Sequence, residues 1–263
     1  MKRRAAAIVL GAAIILALLA VWEICVRQLG VPQFVLPPPS AILRAFVLQF
    51  PTLLPHIATT LGEIVLGLTF AVVIGAGLGV VLFYAPALDR ALHPLIIASQ
   101  MIPVFAIAPL LIVWFGYGLW PKVAVAAMIG FFPMVVNVSD GLRSTSPDHI
   151  DLLRSLGASR WQTLIKLRLP SSLPAVLSGL KVAATLSVVG ATIGEWVGAR
   201  QGLGYLMVQS HSQFRDTRVF AAILALTILG LLLYGGIRML ERRLLRWRAA
   251  VTDTEEELYG GRW

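Results

Sequence analysis

A carboxylate and an indole ring stand next to each other in a long apolar stretch of the sequence, at Glu195 and Trp196. A charged side chain at the centre of a bilayer costs about 2.5–3.5 kcal/mol on insertion scales, so it normally has a partner or contacts water. Glu195 could therefore bind a substrate, close a gate, or pair with Arg200 or a helix terminus. Trp196 could line a pathway beside it or belong to the aromatic belt at a membrane surface.

Other reactive residue types lack the spacing that a reaction centre needs. The single cysteine, Cys25, excludes an intrachain disulfide. No catalytic triad, G-x-S-x-G elbow or G-x-x-x-x-G-K-S/T phosphate loop is evident. The histidines lie far apart, without the spacing of metal ligands, at His56, His93, His149 and His211. We expect a chain that is not an enzyme and that has neither a cofactor nor a metal of its own.

Six long apolar runs must position these residues. The 263-residue chain is 58% hydrophobic and 13% charged, whereas soluble domains carry roughly 25% charged residues. A run of about 18 or more apolar residues predicts a membrane-spanning helix, because a bilayer cannot solvate open backbone groups. The predicted spans cover residues 5–21, 57–83, 94–120, 123–139, 173–199 and 219–237. The sequence therefore predicts an all-α, polytopic membrane protein with six transmembrane helices.

Charge and composition indicate how these spans are arranged. We expect one transmembrane domain over residues 1–263, with its core at 57–240 and a polar tail at 249–263. The first run ends in Trp22 and Glu23 rather than in small residues, so it is expected to be retained and not cleaved as a signal. With the N-terminus in the cytoplasm, 16 of the 22 Lys and Arg lie in cytoplasmic segments, in agreement with the positive-inside rule.

This arrangement places both termini in the cytoplasm and the chain in a bacterial inner membrane. The net charge of +9 then reflects lysines and arginines that face anionic membrane lipid. No basic face with interleaved aromatic residues supports a nucleic-acid partner.

Small, cyclic and aromatic residues inside the predicted spans indicate packing and a candidate pathway. Consecutive G-x-x-x-G steps, which allow close helix packing, are formed by Gly190, Gly194 and Gly198. Helix kinks in the third and fourth spans are predicted at Pro103, Pro109 and Pro133. A pathway for a ring-shaped ligand could run past Gln100, Met101, Phe131, Phe132 and Asn137. Phe and Met at helical spacing are more often packing residues, so both interpretations stay open.

The cytoplasmic loop at residues 141–170 carries signals that a plain surface loop lacks. Ser146 and the proline after it form a helix start. Gly157 ends or redirects this helix, and Ser159 can cap a second helix that leads to Pro170 at the entry to the fifth span. We expect two short amphipathic helices around a glycine, held at the cytoplasmic membrane face, with an apolar stripe that needs a partner.

The stretch DLLRSLGASRWQTLIKLRLP, residues 151–170, resembles the cytoplasmic coupling motif of ABC-importer permeases. Asp151 stands where that family usually has Glu, Gly157 matches the motif glycine, and a Leu-Pro pair closes the pattern. Leucines replace the two usual alanines after Asp151, a departure that could alter how the helix seats in an ATPase groove. The resemblance assigns ATPase coupling to Asp151, Arg154, Gly157, Ala158, Trp161, Leu169 and Pro170.

Further stretches resemble one branch of this family, the permeases for nitrate, sulfonates, taurine and pyrimidine precursors. They are LPPPSAI (36–42), PLLIVWFGYG (109–118), KVAVAAMIGFFPMVVN (122–137) and GEWVGARQGLGYLM (194–207). Within this branch, SQMIPVFAIAPL (99–110), GLKVAA (179–184) and GATIGEWVGA (190–199) are most similar to permeases for thiamine pyrimidine precursors or riboflavin.

The resemblance implies a permease subunit that imports a small solute by alternating access. It implies a homodimer beside two cytoplasmic ABC ATPases, which bind ATP and Mg, and an extracytoplasmic substrate-binding protein. The solute expected first is a pyrimidine precursor of thiamine or riboflavin, and the alternative is a sulfonate, taurine or nitrate.

Two other classes of function make different predictions from the sequence. A secondary transporter driven by an ion gradient would show an internal repeat and acidic residues near mid-membrane, whereas Glu63 and Asp140 are expected near the ends of their spans. A membrane enzyme would need a polar catalytic cluster, which the sequence does not show.

Overall fold

The computed structural model describes residues 2–246, except for the side chains of residues 2–5, 7 and 8. The described residues form helices and no strand, which confirms the all-α prediction. The predicted tail at 249–263 lies outside them. The helices are α1 (Lys2–Gln28), α2 (Pro39–Leu48), α3 (Phe50–Tyr84), α4 (Pro86–Ser99), α5 (Val104–Phe115), α6 (Trp120–Arg143), α7 (Pro147–Ser155), α8 (Arg160–Thr163), a π-helical segment (Leu164–Arg168), α9 (Leu169–Gly198), α10 (Leu203–Ser212) and α11 (Asp216–Leu244).

Within the described residues, five helices are long and apolar enough to cross a membrane. They correspond to the first, second, fourth, fifth and sixth predicted spans. The third predicted span, 94–120, corresponds to the bent pair α4 and α5, which meet at an angle of 96° across a short break. Pro103 stands at the start of α5 with an extended backbone, whereas Pro109 lies inside that helix. A sixth span is reached if the bent pair counts as one.

The described residues group into two compact units, and the first contains the chain up to Thr60 together with Ala199–Ile228. Its core forms where residues of α3, α10 and α11 pack together, among them Leu53, Leu206 and Ala222. The Glu23 carboxylate of α1 accepts hydrogen bonds from the backbone N–H and the hydroxyl of Ser40, at 3.0 and 2.7 Å. These bonds fix the end of α1 to the start of α2.

The second unit contains Leu61–Gly198 and the chain from Leu229 onward, and α6 and α9 form its centre. The two helices approach closely because glycines occupy their crossing. A Cβ atom added to Gly190 would lie 2.7 Å from the Cα of Ala126, and one added to Gly194 would lie 2.8 Å from the Cα of Lys122. Gly198 packs in the same way against Ile112 of α5. Small residues at this spacing bring backbones together, as membrane helices require.

We expect a Gly190→Ala substitution to destabilise the protein by about 1–3 kcal/mol, the usual cost of overpacking a filled core. The added methyl group would meet backbone atoms of α6, which cannot move unless the whole helix does. Thermal unfolding of the purified protein measures the change. Gly77→Ala in α3 is the matched control, because nothing lies within 4 Å of its new methyl group. Equal melting temperatures for the two variants would contradict close packing at Gly190.

The 141–170 loop is structured, as predicted, although its second helix is not separate. Gly157 has a positive φ of 80° and ends α7 in a Schellman motif, with its N–H bonded to Arg154 O at 2.9 Å and the next N–H bonded to Leu153 O at 3.0 Å. Ser159 forms a complete capping box with Gln162. From there α8 continues through the π-helical segment into α9 without a break, so the second helix is not short but runs on into the fifth span.

Candidate functional site

A cavity of about 470 Å³ lies in the second unit, beside the break between α4 and α5. Ser99, Gln100 and Ile102 line it from the break itself, and residues of α3, α5, α6 and α9 complete its wall. Non-helical backbone at membrane depth is tolerated where it is buried in protein or lines a polar cavity. Discontinuous helices commonly build the substrate sites of transporters, so this cavity is the first candidate site.

The wall of the cavity is mostly apolar and contains no charged residue. Three aromatic rings contribute to it, from Phe70 of α3 and from Phe131 and Phe132 of α6. The Ser99 hydroxyl donates a hydrogen bond to Ile96 O at 2.7 Å. Within the described residues, the Gln100 amide makes no hydrogen bond to protein, so its donors and acceptor are available to a ligand. Flat rings beside one free amide can hold an uncharged heterocycle by stacking and hydrogen bonding.

The structure brings together three of the predicted pathway residues, Gln100, Phe131 and Phe132. Met101 lies at the break but does not line the cavity, and it is 79% exposed. The Asn137 amide instead donates a hydrogen bond to Pro133 O at 2.8 Å, one turn earlier in α6. The sequence did not indicate Phe70, because nothing in it fixes how α3 aligns with α6. It did not indicate Ser99 because the end of α4 at this residue was not predicted.

Two other predicted pathway residues lie apart from the cavity. Glu195 is 1% exposed and lies beside Glu63, another fully buried carboxyl group. The Lys122 ammonium lies 3.1 Å from a Glu63 oxygen. Glu195 therefore belongs to a buried charge cluster of these three residues. Trp196 is half-exposed on the same helix end.

Gly194 has no side chain, and this allows α9 to approach the charge cluster closely. Its contact with the backbone of Lys122 brings α9 against the start of α6, and Glu195 follows directly in the chain. Glu63, expected near the end of its span, is instead the fourteenth residue of the 35-residue α3 and is buried. Two carboxyl groups and one ammonium group lie together in an apolar protein interior, where removal of a partner is costly.

The predicted coupling residues lie along the 141–170 loop, and most of them are exposed. Asp151 and Arg154 form an exposed ion pair at 3.4 Å, which is expected to contribute little stability. Trp161 is exposed as well, together with Leu152 and Leu156. Ala158 and Pro170 are half-buried, and Leu169 is exposed at the start of α9. The loop thus presents an apolar surface next to the membrane-spanning helices, as a docking segment would.

Long apolar helices, a broken helix beside an internal cavity and a structured loop together define a helical membrane transport protein. The chain belongs to the family described as the binding-protein-dependent transport system inner membrane component, which matches residues 67–246. It is the permease subunit of an ABC importer, and the resemblance drawn from its motifs is confirmed.

Three relatives are similar over most of their length. The formylaminopyrimidine transport permease protein ThiX of Halalkalibacterium halodurans is 41% identical over 89% of this chain and 93% of its own. The riboflavin transport system permease protein RibX of Chloroflexus aurantiacus is 38% identical, with 90% and 89% covered. The taurine transport system permease protein TauC of Escherichia coli is 33% identical, with 88% and 86% covered.

A solved structure confirms the fold. The MetNI methionine ABC transporter in inward-facing conformations contains a chain that matches this one with a TM-score of 0.66, at 22% identity. The match covers 73% of this chain and 95% of that one. At this identity the likeness concerns the fold alone.

Proposed function

We propose that this permease carries a small, flat, uncharged heterocycle, a pyrimidine precursor of thiamine or riboflavin, through the cavity at the α4–α5 break. The observation that carries the proposal is the wall of that cavity, with three phenylalanine rings, one free amide and no charged side chain. A sulfonate, taurine or nitrate would bring an anion that this wall gives no cation to neutralise. The relatives ThiX and RibX support the same substrate class.

The importer is proposed to work as a homodimer in the inner membrane, with both termini in the cytoplasm. Two copies of a separate ATPase would bind ATP and Mg and dock on the 141–170 loop of each permease, because each chain has one such loop. A binding protein on the outer side would deliver the solute. The exposed apolar surface at Leu152, Leu156 and Trp161 supports the docking role, and the chain would take no catalytic part.

The test is ATP-dependent uptake by the complex of permease, ATPase and binding protein reconstituted in lipid vesicles. We expect uptake of formylaminopyrimidine or riboflavin, and we expect Phe131→Ala or Gln100→Leu to reduce it about 2- to 10-fold. That range corresponds to the loss of one ring contact or one hydrogen bond. ATP hydrolysis by the same vesicles reports whether the complex remains assembled.

Met101→Ala is the matched control for this test, because Met101 lies at the same break without lining the cavity. Uptake by this variant should equal that of the wild type. Uptake of taurine in preference to either ring compound, with no effect of the cavity variants, would contradict the proposed substrate class while leaving the importer itself intact.

A further inference from the structure

A second pocket, of about 200 Å³, lies where α3 ends beside the 141–170 loop. Three arginines line it, Arg154, Arg160 and Arg168, and no acidic residue does. Phe83 and Tyr84, the last two residues of α3, form its apolar wall. We call it the arginine pocket.

Two of the three guanidinium groups are held in place by contacts with the protein. Arg168 donates a hydrogen bond to Leu142 O at 3.0 Å, and its guanidinium carbon lies 4.8 Å from the centre of the Phe83 ring. Arg154 pairs at 3.4 Å with Asp151, and both side chains are largely exposed, so water screens the pair. The third, Arg160, has no ion pair or side-chain hydrogen bond within the described residues.

Asp89, an acidic residue of α4, does not line the pocket and has its own basic partner. Asp89 of α4 is bound by Arg143 at 2.9 Å, and Arg143 does not line the pocket. Among the described residues, only Arg154 of the three arginines has an acidic partner. Such a site attracts an oxyanion, since planar guanidinium groups match the oxygens of a phosphate.

The position of the pocket indicates which phosphate fits. Phe83 and Tyr84 end a 35-residue apolar helix that is long enough to cross a membrane, so the pocket lies at one end of a candidate span. Basic pockets at this level on the cytoplasmic side bind the head groups of anionic lipids. Leu152, Leu156 and Trp161, the exposed apolar residues proposed for the ATPase dock, do not line the pocket. Arg154 and Ala158, to which the resemblance assigns ATPase coupling, do line it.

We propose that the arginine pocket binds the phosphate of an anionic phospholipid in the leaflet beside the 141–170 loop. The lipid phosphate contacts Arg160 and Arg168, and the adjoining glycerol and acyl groups lie against Phe83 and Tyr84. Lipid binding at this place ties the end of α3 to the loop that follows α6. The inference is independent of which solute the permease carries.

The experiment is native mass spectrometry of the purified full-length chain with phosphatidylglycerol or phosphatidylcholine. We expect tighter retention of phosphatidylglycerol, and a loss of about fivefold in Arg160→Gln, the size expected for one basic residue at a membrane surface. Arg160→Lys should recover most of the binding. Lys166→Gln is the matched control, because Lys166 is exposed in the same loop and does not line the pocket.

Each further outcome decides the proposal. Equal losses in Arg160→Gln and Lys166→Gln would overturn it, because the retention would then reflect general charge attraction. Displacement of the lipid by inorganic phosphate alone would show a site for free phosphate. Displacement by the partner ATPase would assign the pocket to protein docking. If Arg160→Gln yields no folded protein, Arg160→Lys and Lys166→Gln still test the pocket by comparison with the wild type. A wild-type protein that retains phosphatidylglycerol no better than phosphatidylcholine would also overturn the proposal.

Discussion

A Lys122→Met permease is expected to lose about 3–5 kcal/mol of folding free energy, the usual consequence of removing one partner from a buried ion pair. Lys122 is 7% exposed, and its ammonium group lies 3.1 Å from the buried Glu63 carboxyl group. Glu195 lies beside Glu63, so the variant leaves two carboxyl groups in an apolar interior without their cation. Total stabilities are typically about 5–15 kcal/mol, so the variant should lose a large share of the protein's stability.

The loss can be measured as a fall in melting temperature and in the yield of monodisperse protein from detergent-solubilised membranes. The double variant Lys122→Met with Glu63→Gln should recover much of the stability, because one carboxyl group is then replaced by a neutral amide of the same shape. Lys166→Met is the matched control, since that lysine is exposed. An unchanged melting temperature in Lys122→Met would show that the charge cluster contributes nothing to folding.

The helices of this protein follow from local rules that the sequence displays directly. Long runs without charges predicted the spans, because an unpaired backbone in lipid is too costly to persist. The capping box at Ser159 and the helix end at Gly157 were equally local, since each depends on residues within a single turn. All of these features were found without knowledge of any tertiary contact.

The break between α4 and α5 could not be predicted from the same rules. Pro103 and Pro109 both predicted kinks, yet the chain breaks before Pro103 and stays helical at Pro109. Pro133 also stays inside its helix. A proline removes one backbone hydrogen bond wherever it stands, and neighbouring helices decide whether the freed carbonyl is satisfied in place. The cavity therefore escaped prediction, although three of its lining residues were named.

The buried charge cluster escaped prediction for a different reason. Glu63 and Lys122 are 3.1 Å apart at their charged ends, but they come from separate helices, and no periodic pattern relates them. From the sequence, Glu63 was expected near a span end, and nothing indicated that Lys122 would lie against it. Gly194 brings α9, and with it Glu195, against Lys122, and it was recognised as a packing residue without its partner helix being known.

A Gly157→Asp substitution is expected to abolish docking of the ATPase while leaving membrane insertion intact. Asp tolerates the positive φ of 80° that Gly157 adopts better than most residues do, and a Cβ added there meets nothing within 4 Å. The fold should therefore persist. The new carboxylate would instead lie on the surface proposed to enter the ATPase groove, where burying an unpaired charge costs about 2–5 kcal/mol.

That cost corresponds to a loss of affinity of at least about 30-fold, measured by co-purification of the ATPase with tagged permease and by ATP-driven uptake. Gly157→Asn is the matched control, because Asn has nearly the same shape and the same tolerance of positive φ but no charge. If Gly157→Asp alone loses the ATPase, the charge at the docking surface is responsible. If both variants lose it equally, backbone strain at the end of α7 is the cause. Normal recovery of the ATPase with Gly157→Asp would mean that the 141–170 loop is not the docking segment.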